Sequence, residues 1–134
     1  MDKQYEGACL CGEVRFHYRG ASLWCGHCHC SMCRRAHGAA VVTWVGVAEE
    51  TFHLDSAASL RWHASSDPAQ RGFCGTCGST LFFRSTRWPG EMHIALGTMN
   101  GEIDRQPAGH VFWESHVSWL SFDDALPKID STET

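Results

Sequence analysis

Eight cysteines in three short clusters constrain this 134-residue chain more than any other feature of its sequence. Cys9 pairs with Cys11, Cys74 pairs with Cys77, and four further cysteines lie within residues 25–33. Pairs separated by one or two residues are typical of zinc ligands, because each pair can occupy two corners of a tetrahedron. The N-terminal residues contain no apolar export signal, so we expect a reducing, cytoplasmic setting in which thiols bind metal rather than form disulfides.

The two outer pairs predict a single structural metal site. Neither pair can complete a tetrahedron alone, whereas Cys9, Cys11, Cys74 and Cys77 together supply four thiolates. A structural zinc at this position could contribute on the order of 10 kcal/mol to folding. Inert buried thiols are the alternative, but they would not explain the paired spacing.

The middle cluster, formed by Cys25, Cys28, Cys30 and Cys33, allows two interpretations. Four thiolates around one zinc usually make a closed structural site, whereas three protein ligands leave a fourth position for water or substrate. We expect Cys25 to pack in the core, because four ligands from so short a segment would strain the backbone. The spacing alone leaves open whether the cluster is structural or catalytic.

The apolar patterns predict a mainly β fold. Val14, Phe16 and Tyr18 alternate with polar residues at the period of a half-buried strand, and residues 39–47 form a nearly continuous apolar run. Further strands are expected at residues 51–54, 60–63, 79–84, 92–96 and 109–117. The only predicted helix is a short turn at residues 31–36, which Gly38 ends.

Length and charge limit the organisation and the partners of the chain. We expect one domain over residues 1–129, followed by a polar tail at residues 130–134. The formal net charge is -4 and the basic residues are scattered, so nucleic acid is not an expected partner. No apolar stretch approaches the roughly 20 residues that span a bilayer, so no membrane association is expected.

Three segments carry a resemblance to a known family. They are residues 9–16, which begin Cys-Leu-Cys-Gly, residues 28–35, which read Cys-His-Cys-Ser-Met-Cys-Arg-Arg, and residues 73–79, which read Phe-Cys-Gly-Thr-Cys-Gly-Ser. In this order they resemble the motifs of the glutathione-dependent formaldehyde-activating enzyme (GFA) family, which includes the centromere-protein-V-like domains. The resemblance implies an all-β, tent-like fold of antiparallel sheets with the four outer cysteines on a structural zinc.

The resemblance also implies an activity at the middle cluster. It predicts a second zinc at Cys28, Cys30 and Cys33, the expected catalytic residues, with a fourth position for the thiol of glutathione. The implied enzyme is a carbon-sulfur lyase that adds glutathione, or a similar thiol, to formaldehyde or a small aldehyde, giving S-(hydroxymethyl)glutathione. Zinc would deprotonate the thiol, which is mostly protonated when free. The alternative is a zinc-stapled binding module with two structural metals and no catalysis.

Polar side chains beside the middle cluster are candidates for supporting roles. Arg34 and Arg35 could bind the carboxylates of glutathione, since a guanidinium recognises a carboxylate with two parallel hydrogen bonds; a solvated turn is the alternative. Three histidines could move the thiol proton: His27, His29 and His37. If their segment is extended, however, His27 and His29 point away from the cysteine face.

Overall fold

The structure is a computed structural model that describes residues 2–131, and within them the chain forms eleven strands, one α-helix and three short 3₁₀ helices. The strands are β1 (Gln4–Ala8), β2 (Arg15–Arg19), β3 (Trp24–Cys28), β4 (Val42–Ala48), β5 (Phe52–Ser56), β6 (Leu60–Ser66), β7 (Ala69–Cys74), β8 (Thr80–Arg84), β9 (Glu91–Ala95), β10 (His110–Val111) and β11 (Lys128–Ile129). The helices are α1 (Ser31–His37) and the 3₁₀ turns Glu49–Thr51, Leu96–Thr98 and Trp113–Ser115. The predicted mainly β fold is confirmed.

The strands form two sheets. The small sheet has the order β1-β2-β5 and is antiparallel throughout. The large sheet has eight strands in the order β11-β10-β3-β4-β9-β8-β7-β6. Its neighbours are antiparallel except that β10 runs parallel to both β3 and β11.

Apolar residues of β2 join the small sheet to the large one. Phe16 is buried and meets Phe82 of β8 edge to face, with ring centres 4.9 Å apart. Val14 and Tyr18 are fully buried as well, as the alternating pattern predicts. On the opposite face of β2, His17 is also buried and stacks on its neighbour His53 of β5 in the same sheet. The core therefore lies between the two sheets.

Most of the predicted elements are present, and one of them is wrong in length. The helix α1 ends at Gly38, which adopts a left-handed conformation with φ 60° and donates its N–H to the Arg34 carbonyl. The predicted strand at residues 109–117 is limited to His110–Val111, because Phe112 also adopts a left-handed conformation, with φ 54°, and a 3₁₀ turn follows. The prediction missed β1, β3, β7 and β11.

The end of the described chain contacts the body of the protein. The backbone N–H of Ser131 donates a hydrogen bond of 3.0 Å to the Glu114 carboxylate. Residues 132–134 of the predicted tail lie outside the described residues. No helix within residues 2–131 is long and apolar enough to cross a membrane.

Candidate functional site

The two outer cysteine pairs come together where the two sheets meet. Cys9 and Cys11 follow β1 of the small sheet, whereas Cys74 ends β7 of the large sheet and Cys77 lies between β7 and β8. Neighbouring Sγ atoms are 3.6 Å apart for Cys9 and Cys11 and 3.8 Å apart for Cys11 and Cys74, and all four lie within 4.8 Å of one another. Sulfur atoms around a tetrahedral zinc, at bonds of ~2.3 Å, are about 3.8 Å apart. The cluster therefore fits an ion of this kind.

Backbone N–H groups support the sulfur atoms of this cluster. Val14 donates to Cys9 Sγ at 3.3 Å, and Cys77 donates to Cys74 Sγ at 3.5 Å. The hydroxyl of Ser79 lies 3.2 Å from Cys77 Sγ, and this hydrogen bond lowers the pKa of the Cys77 thiol to about 5. Donors aimed at sulfur favour the thiolate form, which is the form that binds metal.

The cysteine trio, Cys28, Cys30 and Cys33, lies at the junction of β3 and α1. Cys28 ends β3, Cys30 caps α1 and Cys33 is in its first turn, with the sulfurs of Cys28 and Cys33 3.7 Å apart. The hydrogen bond between these two lowers the pKa of Cys28 and raises that of Cys33. Within residues 2–131 the four outer cysteines are the only group gathered closely enough to hold an ion, so a zinc at the trio stays a prediction.

The trio lies on the wall of a cavity of about 490 Å³. The other walls are largely apolar and include five aromatic residues: Trp24, Trp44, Phe83, Trp88 and Phe112. This volume is typical of a site for a small molecule. The trio therefore faces a largely apolar cavity that is large enough for a small organic molecule.

Strand register builds the floor of this cavity. Trp24, Gly46, His93, Phe83 and Arg71 lie opposite one another in turn, across β3, β4, β9, β8 and β7. Gly46 leaves room for the indole of Trp24, because a Cβ at this position would lie 2.1 Å from the Trp24 Nε1 atom. The cavity therefore depends on strands that are distant in sequence.

Arg71 is the functional candidate that sequence reasoning missed. It lines the cavity, and its two terminal nitrogens both lie 3.5 Å from Cys33 Sγ. Its strand, β7, was not predicted; the Ser65-Ser66-Asp67-Pro68 turn was a signal that could have revealed a hairpin with β6. Arg34 and Arg35 do not line the cavity, and Arg35 is exposed, so their binding of carboxylates stays a prediction.

Cys25 lies apart from the trio. Its side chain belongs to the hydrophobic core cluster with Val45 and Cys74, whereas Cys28 and Cys33 belong to a second cluster with Trp44. Burial raises the pKa of the Cys25 thiol to about 11, so it is a neutral core residue at physiological pH. The expected packing role agrees with this position.

The nearby histidines form a buried hydrogen-bonded chain away from the cavity. His29 Nε2 lies 2.8 Å from His110 Nδ1, and His110 Nε2 lies 2.8 Å from Asp124 Oδ2. Both imidazoles are fully buried, and burial lowers the pKa of His29 to about 4. None of His27, His29 and His37 lines the cavity; of the histidines, His93 does. The sequence did not predict these hydrogen bonds from Asp124 through His110 to His29, because they join residues that are far apart in the chain.

Comparisons with known proteins identify the family and support the fold. The family model for the glutathione-dependent formaldehyde-activating enzyme, GFA, matches residues 4–115. A protein from Halomonas elongata, named "Putative glutathione-dependent formaldehyde-activating enzyme", is 27% identical, with 88% of this chain and 80% of the relative covered. A crystal structure of a Rhodobacter sphaeroides protein superposes with a TM-score of 0.61 at 23% identity, covering 74% of this chain and 91% of the other, and supports the fold. The chain therefore belongs to the glutathione-dependent formaldehyde-activating enzyme family.

Proposed function

We propose that this chain is a zinc-dependent carbon-sulfur lyase that joins glutathione, or a similar thiol, to formaldehyde or another small aldehyde. The observation that carries the proposal is the position of Cys28, Cys30 and Cys33 on the wall of an aromatic cavity. Membership of the family and the name of the Halomonas elongata relative support the same chemistry. A reducing, cytoplasmic setting would keep these thiols free.

The proposal includes two zinc sites with different roles. The four outer cysteines would hold a structural ion, and the trio would hold a reactive one. The 3.7 Å between the sulfurs of Cys28 and Cys33 matches one edge of a zinc tetrahedron. Three protein thiolates leave a fourth position for the thiol of the substrate.

The proposed reaction adds a thiol across a carbonyl group. Zinc held by the trio would supply the deprotonation of the incoming thiol at neutral pH. The S–H bond breaks, a C–S bond forms at the aldehyde carbon, and the proton ends on the former carbonyl oxygen. The guanidinium of Arg71, which contacts Cys33 Sγ, would stabilise the negative charge that develops on the carbonyl oxygen during the addition.

Exchange spectroscopy with labelled formaldehyde and glutathione tests this proposal. The adduct also forms without an enzyme, so the measured quantity is the rate above the rate in buffer. We expect acceleration by the zinc-loaded protein, loss of it in Cys33→Ser, and retention in Cys25→Ala, which removes a buried thiol outside the trio. If the zinc-loaded protein does not accelerate adduct formation above the rate in buffer, the proposed lyase activity is wrong.

A binding module is the second candidate function. The observation that favours it is that the trio, unlike the outer cysteines, does not form a close group of metal ligands. Such a module would hold a thiol ligand without changing the rate of adduct formation. X-ray absorption at the zinc edge, measured with and without glutathione, separates the candidates further, because a reactive zinc would gain a sulfur ligand from the substrate thiol.

A further inference from the structure

Arg71 brings a positive charge to the cysteine trio that no carboxylate of residues 2–131 neutralises by contact. Its guanidinium lies 5.0 Å from the centre of the Phe83 ring, and its buried Nε atom has no hydrogen-bond partner. Within residues 2–131 every ion pair involves a histidine, so Arg71 forms none with a carboxylate. Its two contacts with Cys33 Sγ, at 3.5 Å, leave further N–H groups free.

A second arginine lines the same cavity. Arg87 lies in the turn between β8 and β9, with its guanidinium 4.7 Å from the centre of the Trp88 ring and 5.8 Å from that of Phe112. Aromatic stacking holds a guanidinium in one orientation and leaves its edge available for hydrogen bonds. Arg87 is exposed, so it marks the outer part of the cavity, whereas Arg71 lies beside the trio.

The carboxylates of the cavity do not neutralise these arginines by contact. Glu91 Oε1 accepts a hydrogen bond of 2.9 Å from Trp24 Nε1 and lies 3.0 Å from His93 Nε2. Asp67 is exposed in the turn between β6 and β7 and forms no ion pair. A partly buried cation without a carboxylate partner is stabilised when a ligand provides an anion. The two arginines therefore favour the binding of an anionic ligand in the cavity.

We infer that Arg71 and Arg87 bind carboxylates of the thiol substrate, so that the site selects carboxylate-bearing thiols over neutral ones. The inference rests on the proposed function, because it names the substrate chemistry of the same site. A planar guanidinium binds a carboxylate through two parallel hydrogen bonds, which a neutral ester cannot reproduce. Arg34 and Arg35, the residues predicted for this role, lie outside the cavity.

Binding of S-methylglutathione to the zinc-loaded protein, measured by calorimetry, tests the inference without any reaction. This probe keeps both carboxylates of glutathione but has no thiol to react. We expect Arg71→Gln to raise its Kd at least about tenfold, and Arg87→Gln to raise it less, since the exposed charge is screened. Arg84→Gln is the matched control, because the Arg84 guanidinium lies 3.8 Å from the centre of the Trp62 ring but does not line the cavity. The Kd of S-methylglutathione for this variant should equal that for the unaltered protein.

The dimethyl ester of the same probe identifies the recognised group. The ester should bind the unaltered protein at least about tenfold more weakly than the acid, and Arg71→Gln should not weaken the ester further. Equal Kd values for acid and ester, an equal effect of Arg71→Gln on both, or no binding of the acid would overturn the inference. The comparison of acid and ester on the unaltered protein does not depend on the variant folding. A protein that binds the acid selectively but does not accelerate adduct formation would refute the proposed function and leave this inference standing.

Discussion

Removing one cysteine from the outer cluster tests whether a metal holds the two sheets together. Cys74 and Cys25 are both buried in the same hydrophobic cluster, with 0% and 4% of their surfaces exposed, so replacement by Ala removes a similar amount of packing. That packing loss costs about 1 kcal/mol at either site. If four ligands share on the order of 10 kcal/mol of metal binding, Cys74→Ala loses roughly a further 3 kcal/mol or more.

Thermal unfolding of both variants in zinc-containing buffer measures this difference. For a chain of this size, we expect Cys25→Ala to lower Tm by about 4 °C and Cys74→Ala by more than about 10 °C. A strong chelator should lower the Tm of the unaltered protein and bring the difference between the two variants close to zero, because only the similar packing loss then remains at each site. Equal losses in zinc-containing buffer would refute the reasoning, because the outer cysteines would then be ordinary core residues.

Three further predictions follow from contacts outside the outer cluster. Asp124→Ala removes the acceptor of the hydrogen bond from the buried His110 Nε2–H group. We expect it to lower the free energy of unfolding, measured in urea, by about 1–2 kcal/mol. The control is Asp123→Ala at the exposed neighbouring position, which should change this free energy by less than about 0.5 kcal/mol. Gly46→Ala should displace the Trp24 indole, change the tryptophan fluorescence and lower the free energy of unfolding by about 1–3 kcal/mol. Gly101→Ala should have none of these effects, because an added Cβ at Gly101 meets no other atom within 4 Å. Burial, aided by Arg71, lowers the pKa of His37 from the ordinary 6.5 to about 4, so the unfolded chain takes up a proton between these values and the folded one does not. Stability should therefore fall as the pH decreases from about 6.5 to 4, by at most about 3 kcal/mol from this group, and His37→Gln should show a shallower decrease.

Local patterns made part of the fold predictable. The alternation of Val14, Phe16 and Tyr18 predicted β2, and the apolar run that ends at Val47 predicted β4, because burial on a sheet face depends on the side chains of the strand itself. The spacing of the cysteines in the outer pairs is local as well. The spacing does not predict how close the two pairs lie in space, because that distance depends on how the small sheet packs on the large one.

The wall of the cavity depends on the pairing of strands, which no local sequence pattern predicts. β7 contains Ala69, Gln70, Arg71 and Gly72, a run with little apolar alternation, and it is extended because β6 and β8 pair with it on both sides. Arg71 reaches the trio only through its register opposite Phe83. The link from Asp124 through His110 to His29 likewise joins segments that are far apart in the chain.

The alternation of side chains along β3 separates the fourth cysteine of the middle cluster from the other three. Successive side chains of a strand point to opposite faces, so Cys25 and Cys28, three positions apart, cannot share a face while β3 remains extended. Cys25 pairs with Val45 and joins the core between the sheets, whereas Cys28 faces the cavity. A slip of the pairing between β3 and β4 by one residue would turn Cys25 towards the cavity but would turn Trp24 and Cys28 away from it, so no register of an extended β3 brings Cys25 to the trio. The register of this one strand therefore limits the cysteines of the middle cluster that face the cavity to Cys28, Cys30 and Cys33, the number that leaves a position for a substrate thiol.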